Sequence, residues 1–185
     1  VPEELVTKDM RRMAKVVNFG VIYGISEYGL AEDLKISPRD ARVYIKNYYD
    51  NHPAVGEFMN NAILKAKETG KATTLFGRTR KMFDINASNF MVRSRAERAS
   101  QNMPLQGTAA DIIKIAMVNT FEALKKGGFK AKLIMQVHDE LIIDCPIEEK
   151  DAVCKLLKEQ MESAVSLDVP LVVDVASSYR WSDGH

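Results

Sequence analysis

Cysteine is nearly missing: Cys145 and Cys154 are the only two in 185 residues. They have neither the density of a disulfide-stapled scaffold nor the spacing of a metal-thiolate site, so they read as small apolar side chains kept reduced. No apolar run approaches the roughly 20 residues that span a bilayer. No segment has the charged, apolar and small-residue organisation of a secretory signal. No membrane partner is therefore expected. A dominant charge of one sign is also lacking, because the formal balance is +1, and that total does not by itself point to a nucleic-acid partner. Repeats and low-complexity tracts are absent. The chain opens on Val1 rather than Met, and excision from something longer is the expectation, so the lack of a leader says little about the parent protein.

What is present is enough apolar material, 46% of residues, to bury a core as one large domain or two small ones. The charges are unevenly placed. Up to residue 100 there are 17 basic and 12 acidic groups, and beyond it 9 basic and 13 acidic. Such a split suits a protein that grips phosphates with its front half and holds cations with its back half.

The richest segment is RRMAKVVNFGVIYG, in which Arg11, Lys15, Phe19 and Tyr23 recur at four-residue intervals. In a helix each step rises about 6 Å and turns about 40° past a full turn, so the four side chains form one spiralling stripe. Cations at one end neutralise phosphates, an aromatic face stacks on a sugar or base, and a phenol gives a polar tip. A solvated cationic face above a core of aromatics would explain a generic helix equally well. Gly20 and Gly24 weigh against that, since each costs a helix interior up to about 1 kcal/mol relative to Ala. Glycine there admits a ligand or a neighbouring backbone and provides a place to bend.

Along the chain, Thr7 caps the ladder helix, which should run to about Tyr23, and Ser37 with Pro38 and Asp40 starts a second helix. A third runs from Pro53 to near Gly70, followed by a short hairpin around Gly77. Between residues 78 and 98, Arg78, Arg80, Lys81, Arg93, Arg95 and Arg98 face only Asp84 and Glu97, which makes either a backbone-binding surface or a solvated one. Pro104 should separate a helix over 88–102 from one that begins near Gln106 and ends at Gly127 and Gly128. KAKLIMQV and ELIIDC then read as a hairpin turning at His138 and Asp139. A helix over 148–165 covers it, and LVVDVAS reads as a further strand.

The tip of that hairpin is acidic. Asp139 and Glu140 are adjacent and repel each other unless a divalent cation intervenes, and hard oxygen donors suit Mg²⁺, which binds through one or two carboxylates plus substrate phosphates. An ordinary solvated turn explains the pair as well if the hairpin is taken alone. His138 beside them is a polar contact residue, since one histidine without partners makes no zinc site.

Together these segments resemble the DNA polymerase I family, the family A DNA polymerases. RRMAKVVNFGVIYG looks like the family's motif B and QVHDELII like its motif C, with NMPLQGTAAD between them, in the family's order and spacing. The resemblance implies a bacterial enzyme of template-directed DNA synthesis, cytoplasmic and nucleoid-associated, acting on primer–template DNA and a dNTP. It implies that Arg11 and Lys15 contact the triphosphate, with Lys15 near the α-phosphate, that Phe19 stacks by sugar and base, and that Tyr23 sits at the hinge end. Arg98, Asn102, Gln106 and His138 match positions that contact primer and template. Asp139 matches a ligand of the two catalytic Mg²⁺ ions, with Glu140 beside it.

The resemblance further implies an α+β fold, with a mostly helical fingers region over 1–103 and the C-terminal part of the palm over 104–185. Its small antiparallel sheet would join the hairpin to the 171–177 strand. The family's motif A, which carries a second metal-binding Asp, does not occur in this sequence, and neither does a thumb. The chain alone is therefore expected to lack polymerase activity, and its uncovered sheet edge makes self-association expected. Lys81 and Phe83 depart from the aromatic and Pro that many relatives carry after FGR. A phage-type RNA polymerase shares the Lys and later Tyr-Gly of motif B but not the NFG run or QVHDE. A non-catalytic DNA-binding module would have no reason to keep Asp139, Glu140, Arg11 and Lys15 together.

Overall fold

Helix start signals place most of the chain. Ser and Thr caps precede three of the first four helices of the computed structural model, which describes residues 2–183. Thr7 accepts from the Met10 N–H and opens α1 (Lys8–Ile22); Ser26 accepts from Gly29 and opens α2 (Glu27–Leu34). Ser37 accepts from Asp40 and, with Pro38 at the first turn, opens α3 (Pro38–Asn51). Each satisfies an N–H that the helix itself leaves unpaired, worth about 1 kcal/mol. A fourth helix, α4 (Pro53–Thr69), ends at Gly70 in the left-handed region. After it come β1 (Lys71–Thr73) and β2 (Thr79–Lys81), an antiparallel hairpin. Then follow α5 (Phe90–Lys126), a second hairpin of β3 (Lys132–Val137) and β4 (Glu140–Asp144), and α6 (Lys150–Glu162).

The chain forms two compact units, Val1–Gly107 and Thr108–His185. Two cores lie in the first. Leu30, Ala31, Leu34 and Ala41 make one, and Met13, Val16 and Val17 of α1 pack on it. Those α1 positions follow helical spacing, so one face is buried and the opposite face is left outward. Arg42 binds Glu27 through two hydrogen bonds, at 2.6 and 3.2 Å, joining α3 to α2. The second core holds Ala66, Ala72, Met82 and Ile85 under Ala96, Ala99 and Met103, clamping β1 and β2 between α4 and α5. In the second unit Leu124, Ala131 and Val153 gather Leu133, Ile143 and Leu156, so α6 covers one face of the β3–β4 hairpin. The carboxylate of Glu149 accepts from the N–H groups of Lys130 and Ala131 at 3.0 Å and ties the start of α6 to the start of β3.

The α+β fold is as read from the sequence, with four differences. Pro104 does not end a helix: it lies inside α5, which runs unbroken through 37 residues. An internal proline costs about 3 kcal/mol, and α5 sustains it because Ala96, Ala99 and Met103 anchor the turns just before it in the second core. Helix α2 was not foreseen, although Ser26 and Glu27 form a start signal. The covering helix is shorter than 148–165, because Ile147–Glu149 is a 3₁₀ turn. Residues 171–177 pair with no strand among the described residues, so the sheet keeps two strands. Leu171, Val173 and Val175 are nonetheless half-buried between exposed neighbours. The period-2 pattern is present; the partner strand that would turn it into a sheet edge is not.

Two consequences for stability can be measured. A Cβ at Gly107 would lie 2.6 Å from Thr74 Cγ2. Thr74 is buried and stiff at χ1, so Gly107→Ala is expected to lose about 1–3 kcal/mol in urea unfolding. The second concerns acid. The Arg42 hydrogen bonds and charge hold the Glu27 carboxyl below its usual 4.5, so its contribution is present above that value and is lost as pH falls through the lower folded value. Glu27→Gln should therefore be the less stable protein at neutral pH, and the two should converge in acid.

Candidate functional site

The outward face of α1 carries the sequence ladder. Arg11, Lys15, Phe19 and Tyr23 are all exposed, and the Phe19 and Tyr23 rings stack with centroids 6.4 Å apart and planes 16° from parallel. Among the described residues neither Arg11 nor Lys15 has an ion-pair partner, whereas Arg12, on another side, lies 3.6 Å from Asp9. Two unneutralised cations thus stand on the first half of a helix whose N-terminal end is itself electropositive, an arrangement favourable to anions.

Tyr23 caps the C-terminus of α1, and the chain turns there by hydrogen bonds from Gly24 to the Val21 carbonyl and from Ile25 to the Gly20 carbonyl. These are the two bonds of a Schellman motif. Gly24 has φ +68, and a Cβ there would meet Arg98 Cγ and Gln101 Oε1 at 3.0 Å. Ile25 Cγ2 lies 3.0 Å from where a Gly20 Cβ would be. Both glycines are therefore accounted for by the helix end, not by a ligand. What they achieve is proximity: Arg98 of α5 is set against the Tyr23 end of the ladder.

Arg98, Asn102 and Gln106 recur at four-residue intervals on α5 and so share one side of it. Arg98 and Gln106 are exposed; Asn102 is half-buried, and its Oδ1 is buried without a hydrogen-bond partner. An orphaned buried acceptor costs about 1–3 kcal/mol. Gln101, which shares the Gly24 contact, was not singled out by sequence reasoning. Its signal was the three-residue step from Arg98.

In the second unit, His138 and Asp139 form the two-residue turn between β3 and β4, and Val137 pairs with Glu140. His138 is in the left-handed region, φ 50, with its carbonyl accepting from Gln136 Nε2 at 2.6 Å. Histidine tolerates that region better than most side chains. His138, Asp139 and Glu140 are exposed, while Leu141 behind them is buried and fixes the strand. No group of three metal-binding side chains occurs among the described residues. Two adjacent carboxylates with hard oxygens fit an ion that takes its remaining ligands from water, phosphate and other protein groups; they do not close a cage. The ladder and the acidic turn belong to different units.

Among the described residues no helix is long and apolar enough to cross a membrane. Residues 1–183 match the family described as DNA polymerase family A. DNA polymerase I of Caldicellulosiruptor bescii is 48% identical over 95% of this chain, and that of Bacillus caldotenax 49% over 99%. The chain spans about a fifth of those relatives' length, 21% in each case. Among solved structures, the POL domain of Pol1 from M. smegmatis, in complex with DNA primer–template and dNTP, matches at a TM-score of 0.95 and 40% identity. The match covers 100% of this chain and 32% of that one. With the ladder helix, the α5 polar row and the acidic hairpin all inside the matched span, the chain belongs to DNA polymerase family A.

Proposed function

We propose that this chain carries the nucleotide-binding helix and one metal-ligating turn of a bacterial DNA-directed DNA polymerase, with 1–103 serving as fingers and 104–185 as part of the palm. The observation that carries this is the outward α1 face: two cations without internal partners beside two stacked, exposed aromatic rings, in a chain of this family. Support for the partners comes from the M. smegmatis domain, whose structure contains primer–template DNA and dNTP.

In this reading Arg11 and Lys15 neutralise the triphosphate, and Lys15 acts nearest the α-phosphate, where charge builds as pyrophosphate departs. Phe19 positions sugar and base, and Tyr23 flanks the nascent pair at the hinge end. Arg98, Asn102, Gln106 and His138 hold primer and template through minor-groove acceptors that recur in every base pair, which tests geometry without reading sequence. Asp139, with Glu140 beside it, holds Mg²⁺ together with a carboxylate from outside this sequence. Bound there, Mg²⁺ would supply Lewis-acid charge stabilisation to the reacting phosphate. The work is done at nucleoid DNA in the cytoplasm.

The test is Mg²⁺-dependent primer extension on a defined template, comparing this chain with a longer protein that restores the upstream palm and thumb. Extension by the longer protein alone is the expected result. Robust extension by this chain would overturn its reading as an incomplete catalytic piece, and DNA binding without extension by the longer protein would replace the polymerase with a binding module. Among the described residues the β3–β4 sheet has two strands and open edges, so self-association is expected. Light scattering that shows a monomer at high concentration removes that expectation.

A further inference from the structure

A second cationic site lies in the first unit, on the face of the β1–β2 hairpin. Lys71 pairs with Lys81 and Thr73 with Thr79, and directly opposed residues two apart along a strand share a face. That face therefore presents two ammonium groups and two hydroxyls. Like charges set directly opposite each other destabilise a hairpin. Beside them a cavity of about 190 Å³ is lined by Asn61 and Lys65 of α4, Lys71 and Thr73 of β1, and Phe58 and Pro104. None of the residues lining it is acidic. Among the described residues, the ammonium groups of Lys65, Lys71 and Lys81 have no carboxylate partner, although Lys67, on the same helix as Lys65, is bound to Glu97 at 2.7 Å.

Lys65 and Lys71 line the cavity and Lys81 stands opposite Lys71 in the hairpin; cations gathered without counter-charge are the arrangement an anion would relieve. The volume decides how large that anion is. Small-molecule pockets run to about 300–1,000 Å³, so 190 Å³ matches a single phosphate group better than a whole nucleotide. A phosphate that must be small inside the cavity yet bound with useful affinity is best supplied as one link of a longer polyanion, and Phe58, exposed to 41%, offers an apolar face for the adjoining sugar or base.

We propose that Lys65, Lys71 and Lys81, with Thr73 and Asn61, form an accessory site for one backbone phosphate of a nucleic-acid strand, separate from the α1 ladder. The choice of a nucleic-acid strand as the source leans on the polymerase reading, but the site is tested without catalysis, so the two fail separately.

The experiment is amide-resolved NMR of this chain titrated with an oligothymidylate, with inorganic phosphate and with a polyglutamate peptide. A companion variant replaces both strand lysines, Lys71→Gln with Lys81→Gln, and a second keeps the charge, Lys71→Arg with Lys81→Arg. Expected are shifts of Lys71, Thr73, Thr79 and Lys81 with the oligonucleotide, weak shifts of the same amides with inorganic phosphate, and none with the peptide. In the glutamine variant the shifts should vanish and the salt dependence of oligonucleotide binding should flatten by about 0.7 in log–log slope, the amount for one single-strand phosphate; the arginine variant should behave as the parent. Because the glutamine variant removes an opposed like-charge pair, its melting temperature should not fall at low salt, which separates lost binding from lost folding. Shifts with phosphate but not with the oligonucleotide would assign the site to a free anion and overturn the strand. Equal response to polyglutamate, or no response to any probe, would overturn the site.

Discussion

Replacing Asp139 with alanine in the longer polymerase is expected to reduce primer extension by about a thousand-fold or more, with DNA binding nearly intact. The size follows from what the residue would hold: a bound divalent ion contributes several kcal/mol to stabilising charge at the reacting oxygens, and each 1.36 kcal/mol is a factor of ten in rate. Retention of fold follows from its position. Asp139 is exposed at the tip of a two-residue turn, and the strands behind it are fixed by Leu141, Leu133 and Ile143 in the core. Single-turnover extension with and without excess Mg²⁺ checks it. A rate within tenfold of the parent would remove Asp139 from the metal site, and Glu140→Ala, run beside it, should show the smaller loss.

The second large effect belongs to Lys15. Lys15→Ala is expected to lower kcat for nucleotide addition by about 10²–10³, the range for removing one electrostatic contact to developing charge, while KM changes little. Arg11→Ala should act the other way, chiefly raising KM, because it lies one helical turn closer to the N-terminus of α1 and binds charge already present in the ground state. Neither change should weaken the fold. Both side chains are exposed, and among the described residues neither has a partner to lose. Equal effects of the two variants on KM alone would mean that Lys15 is a binding cation with no special part in the transition state.

Much of this was legible because short-range chemistry fixes it. Thr7, Ser37 and Gly70 announce helix ends that need only their own neighbours, and the acidic hairpin follows from two apolar runs separated by two residues. Harder to see were features decided at a distance. Pro104 is a helix breaker unless the turns before it are anchored, as those of α5 are by Ala96, Ala99 and Met103. Residues 171–177 carry strand alternation, but a strand needs a partner, and periodicity cannot supply one. The ladder glycines suggest room for a ligand or a neighbouring backbone, and the structure fills that room with side chains instead. Ile25 and Arg98 turned out to be what approaches, and neither could be predicted from spacing. The opposed lysines of β1 and β2 could be found only once the register was known.

The boundary between the two compact units falls at Gly107, in the middle of α5 and three residues after a proline with no N–H to offer the Ser100 carbonyl. Domains are normally separable because a loop joins them, and an engineer can cut, permute or insert there. This chain offers no such seam. A split version would have to sever a helix, leaving each half with a frayed end to rebuild, and complementation of the halves would then report helix completion as much as recognition.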